Sequence, residues 1–530
     1  MSMLEQGVNI TLSVGVGVAH LRGRRTRQDQ DSLPLSAGVR CALVALTAPL
    51  VVALVQLVLA ALGIHGYLAT ALAWLMTATC AYLTGRRASA QDGSPVLRRG
   101  AEIRDAAEWR GHVRGFFGLR PPAPATGPDR TILSIAGVPI PPEDEPKHFK
   151  FIGTTGTGKS TAIQGLLSAA LARGDRAVIA DPDGGYLRRH YDARRGDLIL
   201  NPFDGRSGVW QPFDELVEAH DARELARALI GSASGEAAAW HDYAETFLAS
   251  VLERLKGLPE AGSAELYRVI SSASMVELRA MLSGTSSAPL VESGNERMFG
   301  SVRAIAMSRL AALPVIVRQS GVHASVRQWI REGSGVLFLP YQADQIATLR
   351  HLISAWMRLA IFETMALGES DRRLWFVVDE LDALGAIDGL KDALARLRKF
   401  GGRCVLGFQS IAQVSGTYGE AQARTIVENC ATTLILRCSS SEGGGTARFA
   451  SQLIGQREVE RFQETRSTGE RGMAPRVSVS RQIALESAVL ASEIEGLADL
   501  EGYLKRASEP AWTRVTLRPA QADSPIGSRG

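Results

Sequence analysis

Two kinds of apolar patterning divide the chain. Residues 41–62 and 66–84 are runs that no charged residue interrupts, separated only by Gly63, Ile64 and His65. Each is long enough to cross the hydrocarbon core of a bilayer as a helix. A charge-free pair in tandem argues against two buried core helices. Arg22, Arg24, Arg25 and Arg27 flank the pair on one side and Arg86 and Arg87 on the other, so the positive-inside rule places both flanks in the cytoplasm. The length of residues 1–40 ahead of the first run disfavours a cleavable leader. From residue 148 the pattern changes to short continuous runs rich in β-branched residues, at 148–152, 176–181, 335–340, 374–380, 403–409 and 432–437. Helical stretches separate them, which describes a parallel sheet covered on both faces. The first of these stretches, 159–171, repeats Ile163, Leu166, Leu167, Ala170 and Leu171 at helical spacing, with Gly174 as a stop.

Between about 214 and 325 strand signals are few. Three segments there, 215–231, 237–255 and 264–284, read as helices and predict an inserted all-α subdomain. A strand pair around 131–140 opens the α/β domain, after an Arg-rich and Pro-rich connector containing RPPAPATGP. Beyond Asn429 the sequence offers a final strand and helix. The expected organisation is a cytoplasmic segment 1–40, two transmembrane helices within 41–84, a juxtamembrane linker 85–130, the α/β domain in two parts, 131–213 and 326–518, around the insertion 214–325, and a tail 519–530.

Composition adds little. The 530 residues carry a net charge of +4, which permits contact with nucleic acid without arguing for it, since the arginines are spread along the chain. Cys41, Cys80, Cys404, Cys430 and Cys438 show no metal-ligand spacing and read as reduced packing residues.

Candidate chemistry begins at FIGTTGTGKSTAI, where Gly153 is followed by four residues and then Gly158, Lys159 and Ser160, in a strand–loop–helix setting. Such a loop turns successive backbone N–H groups toward phosphate oxygens at a helix N-terminus. Gly153, Thr154, Thr155, Gly156, Thr157, Gly158, Lys159, Ser160 and Thr161 are therefore the expected ATP-binding residues, with Lys159 on the β- and γ-phosphates and Ser160 on Mg²⁺. The strand 374–379 ends in Asp379 and Glu380, placing two carboxylates at the sheet edge where ligands of such folds bind. Asp379 is expected to hold Mg²⁺ and Glu380 to orient or deprotonate the attacking water. Gln409 ends another strand, where its amide can sense the γ-phosphate. Arg398 lies one strand earlier at a helix end, where an arginine is more often merely solvated.

Five stretches together resemble the type IV coupling proteins of conjugation and type IV secretion, in particular the TraD-like class. They are IAGVPIPPEDEPKHFKFIGTTGTGKSTAIQGLL, RGDRAVIADPDGGYLRRHYDARRGDLILNPFDGRSGVWQPFDEL, LWFVVDELDALG, LRKFGGRCVLGFQSIAQ and IEGLADLEGYLKRASEP, in order over about 131–517. The resemblance implies a hexameric ATPase of the bacterial inner membrane with a RecA-like P-loop domain and an all-α domain facing the cytoplasm, both termini also being cytoplasmic. It implies relaxase-bound single-stranded DNA as substrate, and secretion-channel components and membrane lipid as partners. By the same resemblance Lys159 and Ser160 match the phosphate lysine and the Mg²⁺ hydroxyl, Asp379 and Glu380 the acidic pair, Gln409 the sensor glutamine and Arg398 an inter-subunit arginine. Asp181 also matches a motif of the family, which leaves its role open, a turn cap being one reading. Two departures stand out: the link between the apolar runs is short for a periplasmic loop, and the brief tail after Pro519 puts an acidic carboxy-terminal arm in doubt. Three other readings remain open at this point, namely a chromosome translocase, a secretion ATPase that moves only protein, and a receptor that uses nucleotide only to assemble.

Overall fold

A computed structural model describes residues 51–55, 70–80, 96–105, 132–218, 220–233, 235–441, 444–467 and 476–518. The chain divides into two compact units, Met1–Gly100 with Gln456–Ser487, and Ala101–Gly455 with Ala488–Gly530. In chain order the first strands are β1 (Val96–Gly100), β2 (Ile103–Asp105), β3 (Ser134–Ile135), β4 (Val138–Pro139), β5 (Phe149–Ile152) and β6 (Arg176–Pro182). There follow β7 (Leu198–Ile199), β8 (Val209–Trp210), β9 (His323–Ala324), β10 (Val336–Tyr341), β11 (Leu374–Val378) and β12 (Gly402–Phe408). The last are β13 (Thr432–Ile435), β14 (Gln456–Ser467), β15 (Arg476–Ser487), β16 (Glu501–Lys505) and β17 (Trp512–Thr516).

In the larger unit ten strands form one sheet in the order β2-β17-β16-β13-β5-β12-β11-β6-β10-β7. The seven from β13 to β7 run parallel, and β16 and β17 continue the sheet antiparallel beside β13. The result is a mostly parallel α/β sheet of RecA-like type. Strand residues alternate between two apolar cores, as side chains of period two must. Val178, Phe376 and Leu337 enter one core, while Ile179, Trp375 and Phe338 enter the other. The second core also receives Ile163, Leu166, Leu167 and Ala170 of α1 (Lys159–Ala172), the face that the helical spacing predicts.

After α1 comes α2 (Gly185–His190). The stretch between β8 and β9 holds α3 (Asp221–Ile230), α4 (Ala237–Leu255), α5 (Ser263–Ser272), α6 (Met275–Leu282), α7 (Glu296–Arg309) and α8 (Leu313–Ile316). Two expectations need correction there. The helix expected over 215–231 starts only at Asp221, because Pro212–Glu215 forms a 3-10 turn. The helix expected over 264–284 breaks at Ala273 and Ser274, where the Ser274 hydroxyl accepts the Glu277 amide and starts a new helix.

In the smaller unit β14 and β15 form a hairpin with twelve paired positions, and β1 pairs antiparallel with β14. This corrects the reading of a single strand and helix beyond Asn429, since the segment also contains the hairpin, β16 and β17. The sequence signal was the period-two alternation of Val477, Val479, Ile483 and Leu485. Of the two expected membrane spans only 51–55 and 70–80 are described; both are helical, and Val52, Ala73 and Trp74 pack together. The rest of both spans lies outside the described residues. Among the described residues no helix is long and apolar enough to cross a membrane.

Candidate functional site

The glycine loop is suspended from both strands that flank β5. The Gly153 amide donates to Phe408 O at 3.3 Å, beyond β5 on the β12 side, and the Thr154 amide to Arg437 O at 2.9 Å on the β13 side. Within the loop the Thr157 hydroxyl donates to Thr154 O at 2.7 Å. Gly158 has φ +113°, a backbone that L side chains rarely adopt, and a Cβ there would meet Leu500 Cδ2 at 2.8 Å. It opens α1 without a side-chain cap, so the first-turn amides converge with the loop on the space above β5. Lys159 is buried, its Nζ donating to Gly153 O at 2.7 Å. Burial pulls its ammonium below the ordinary lysine range, and the charges of Asp379 and Glu380 oppose that shift.

Sheet order explains why distant residues meet here. β12 lies between β5 and β11, so the end of β12 separates the loop from the acidic pair. The Ser160 hydroxyl donates to Asp379 Oδ2 at 2.5 Å. On the same sheet edge Gln409 bridges the other two partners: the Thr155 hydroxyl donates to its Oε1 at 2.9 Å, and its Nε2 donates to Glu380 Oε1 at 2.9 Å. Burial raises the Glu380 carboxyl above the ordinary range; the Gln409 hydrogen bond opposes the shift, and the neighbouring charges of Asp379 and Asp382 add to it. Close approach requires Gly407, since a Cβ there would lie 2.3 Å from Asp379 O and 3.1 Å from Asp379 Oδ1.

The structure thus brings together Thr155, Lys159, Ser160, Asp379, Glu380 and Gln409. It does not bring Arg398 to them. Arg398 is exposed, in the 3-10 turn Leu397–Phe400 ahead of β12, whereas Gln409 follows the end of that strand. The seven residues of β12 at ~3.3 Å each separate the two by roughly 20 Å. Thr161 sits half-buried in the first turn of α1.

Sequence reasoning missed Tyr186, whose hydroxyl donates to Asp379 Oδ2 at 2.9 Å. Burial, followed by the Asp379 charge, pushes its phenol well above the ordinary range, so it stays a donor. Asp181, whose role the sequence leaves open, takes the amides of Tyr186 at 3.0 Å and Leu187 at 2.7 Å at the start of α2. The only sequence hint of Tyr186 was its place directly after the Asp-Gly-Gly turn.

Mg²⁺ fits these residues. Asp379 Oδ1 is buried without a hydrogen-bond partner, beside the Ser160 hydroxyl that shares the carboxylate's other oxygen. Among the described residues no group of three or more His, Cys, Asp or Glu could hold a metal. Mg²⁺ at nucleotide sites is usually bound by one carboxylate, a hydroxyl and substrate phosphates rather than by an all-protein cage. A cavity of about 610 Å³ elsewhere, lined by Arg358, Phe362 and Asp388, offers no comparable chemistry; Arg358 is already paired with Glu224 at 2.9 Å and Asp388 at 3.2 Å.

A family model described as the type IV secretion-system coupling protein DNA-binding domain matches residues 132–518. The coupling protein TraD of Escherichia coli (strain K12) is 32% identical over 380 residues, covering 70% of this chain and 52% of that protein. The chain therefore spans about half the length of this curated relative. Among solved structures, the unbound bacterial conjugative coupling protein TrwB superposes with a TM-score of 0.70 at 30% identity, over 80% of this chain and 94% of that one. The plasmid coupling protein TrwB in complex with ADP and Mg²⁺ gives 0.69 at 30% identity, over 81% and 95%.

Proposed function

The chain belongs to the type IV secretion-system coupling proteins, and on that premise we propose that it is a membrane-anchored hexameric ATPase that recruits relaxase-bound single-stranded DNA and couples ATP hydrolysis to its transfer into a secretion channel. The observation that carries this reading is the Ser160–Asp379 contact of 2.5 Å beside the unpartnered Asp379 Oδ1. TrwB in complex with ADP and Mg²⁺ supports nucleotide and Mg²⁺ binding here. Residues 41–62 and 66–84 supply the two inner-membrane spans in this reading, both termini staying in the cytoplasm. Residues 131–213 and 326–518, apart from the hairpin of the smaller unit at 456–487, form the motor, and the helices between β8 and β9 within 214–325 form the subdomain that meets the substrate.

Each residue then has a task. The amides of Gly153–Thr161 cradle the phosphates, and Lys159 contributes a compact positive charge to the β- and γ-phosphates. Ser160 and Asp379 hold Mg²⁺, which neutralises charge developing on the phosphate oxygens. Glu380 takes the proton of the attacking water, a task suited to a carboxyl whose proton affinity burial has increased. Gln409 connects that carboxylate to Thr155, so the state of the loop and the orientation of Glu380 change together. Arg398 reaches the γ-phosphate of a neighbouring subunit. Basic side chains of the assembled ring follow the DNA backbone without reading bases.

The test measures nucleotide affinity and turnover of the purified chain, with and without single-stranded DNA. Single-stranded DNA should stimulate turnover. Lys159→Ala should abolish nucleotide binding or turnover, and transfer with it, at little loss of folded protein. Glu380→Gln should bind ATP normally and hydrolyse it at least ~100-fold more slowly. Turnover indifferent to DNA would remove DNA from the reading; equal loss of binding and hydrolysis in Glu380→Gln would make that residue structural.

A further inference from the structure

A buried hydroxyl at the site belongs to Tyr186, to which the chemistry above gives no task. Its side chain is held at the start of α2 with 2% exposure. Its O–H donates to Asp379 Oδ2, the oxygen that also accepts from Ser160. Two hydroxyl donors on one oxygen stop the carboxylate from turning about its Cβ–Cγ bond. Oδ1, which has no hydrogen-bond partner, is thereby given a fixed direction. Rotation in the other sense is limited by β12, since Oδ1 fits beside Gly407 only because that residue has no Cβ.

The same tyrosine is fixed from behind. Its backbone amide donates to Asp181 Oδ1, the next amide donates to Asp181 Oδ2, and Asp181 belongs to β6, which pairs directly with β11. A closed circuit results, running from Asp379 through the Tyr186 hydroxyl to the amides of α2, to Asp181 and back across the sheet. Tyrosine is suited to this position because the ring fills the core while the O–H reaches a polar partner.

Resting on the function proposed above, we propose that Tyr186 is the positioning residue of the Mg²⁺ site: it orients Asp379 toward the ion and ties ion binding to α2. Groups behind a metal ligand that fix its orientation typically change metal affinity about 10–100-fold when removed. The ligand itself and the fold survive such a change, which separates this role from that of Asp379.

Tyr186→Phe keeps the ring and removes only the hydroxyl. Binding of a non-hydrolysable fluorescent ATP analogue is measured in EDTA and across a Mg²⁺ titration, for parent and variant. The variant should match the parent in EDTA and need about tenfold more Mg²⁺, or more, to reach half of the Mg²⁺-dependent affinity gain. An unchanged Mg²⁺ midpoint in a folded variant overturns the proposal while leaving the nucleotide site intact. A parent whose affinity ignores Mg²⁺ overturns the underlying reading of the site instead, and the two failures are therefore distinct. A measurement on the unaltered chain covers the case in which the variant does not fold. Amides of 185–190 should exchange with solvent more slowly with analogue and Mg²⁺ than with analogue and EDTA, and equal exchange again overturns the tie.

Discussion

Asp181, next to last in β6, has a carboxylate hidden from solvent, both oxygens committed to amides of α2. Burial raises this carboxyl from 3.8 to about 6, against the pull of the amide donors. The sign of the resulting pH effect follows from linkage. The unfolded chain ionises first, so the stability this group contributes is fully present below 3.8 and is lost as pH rises to about 6. At about 1.4 kcal/mol per unit the increment is at most ~3 kcal/mol. Asp181→Asn removes the titration, and its urea midpoint should fall less than the parent's between about pH 4 and about pH 7; parallel profiles would show that Asp181 does not titrate in that window. The residues of this site differ in how far the sequence exposes them. Lys159 and Ser160 follow from contiguous spacing, and Asp379 and Glu380 from an acidic pair ending an apolar strand. Tyr186 does not, because its partner is 193 positions away and only the adjacency of β6 and β11 brings them together.

Elements depend on a second buried carboxylate, Glu215, at the neck of the helical segment between β8 and β9. It accepts Trp210 Nε1 at 2.8 Å from the entering chain, and Ser325 Oγ at 3.0 Å with the amides of Val326 at 2.7 Å and Arg327 at 3.0 Å from the returning chain. The two returning amides open α9 (Val326–Glu332), so one side chain caps a helix and closes the neck together with the β8–β9 pairing. Burial opposes its charge, raising the carboxyl, while all four donors favour the charged form. Glu215→Ala leaves those donors buried without an acceptor and should cost about 3 kcal/mol or more in urea unfolding. A loss below about 1 kcal/mol would mean that water replaces the carboxylate and that the β8–β9 pairing alone holds the neck. Helical periodicity located α4 to the residue, because a long amphipathic helix carries its own signal. The β14–β15 hairpin was missed for the opposite reason. Its strands are rich in charge, with Arg457, Arg461 and Arg481 paired to Glu486 and Glu460 across the strands, so the alternation of a few apolar residues is diluted.

At the scale of the whole molecule, the proposed ring makes a specific demand on Arg398. About 20 Å of strand separates its turn from the Gln409 end of β12, so the phosphates held by its own loop are out of reach of its guanidinium. An arginine finger in this chain must act on a neighbouring subunit, where charge developing on the γ-phosphate gives it most effect. Loss of Arg398 should then lower turnover by about a thousandfold or more while leaving nucleotide affinity nearly intact. The same geometry predicts complementation. Lys159→Ala subunits keep the arginine and lack a working loop; Arg398→Ala subunits keep the loop and lack the finger. In rings assembled from equal amounts of both, an Arg398→Ala loop facing a Lys159→Ala neighbour is a complete site, and random order makes about a quarter of the interfaces of this kind. Turnover should rise above that of either variant alone. If Arg398 served its own subunit, no mixed interface would be complete and the mixture would stay as inactive as its components. Nucleotide occupancy measured in the same rings separates that outcome from strict coordination among subunits. Occupied loops without turnover indicate sites waiting on dead neighbours, and the rise should then appear when the Lys159→Ala fraction is lowered until most rings contain one such subunit. Silence at every ratio, in rings shown to be mixed, would exclude Arg398 from the reacting centre.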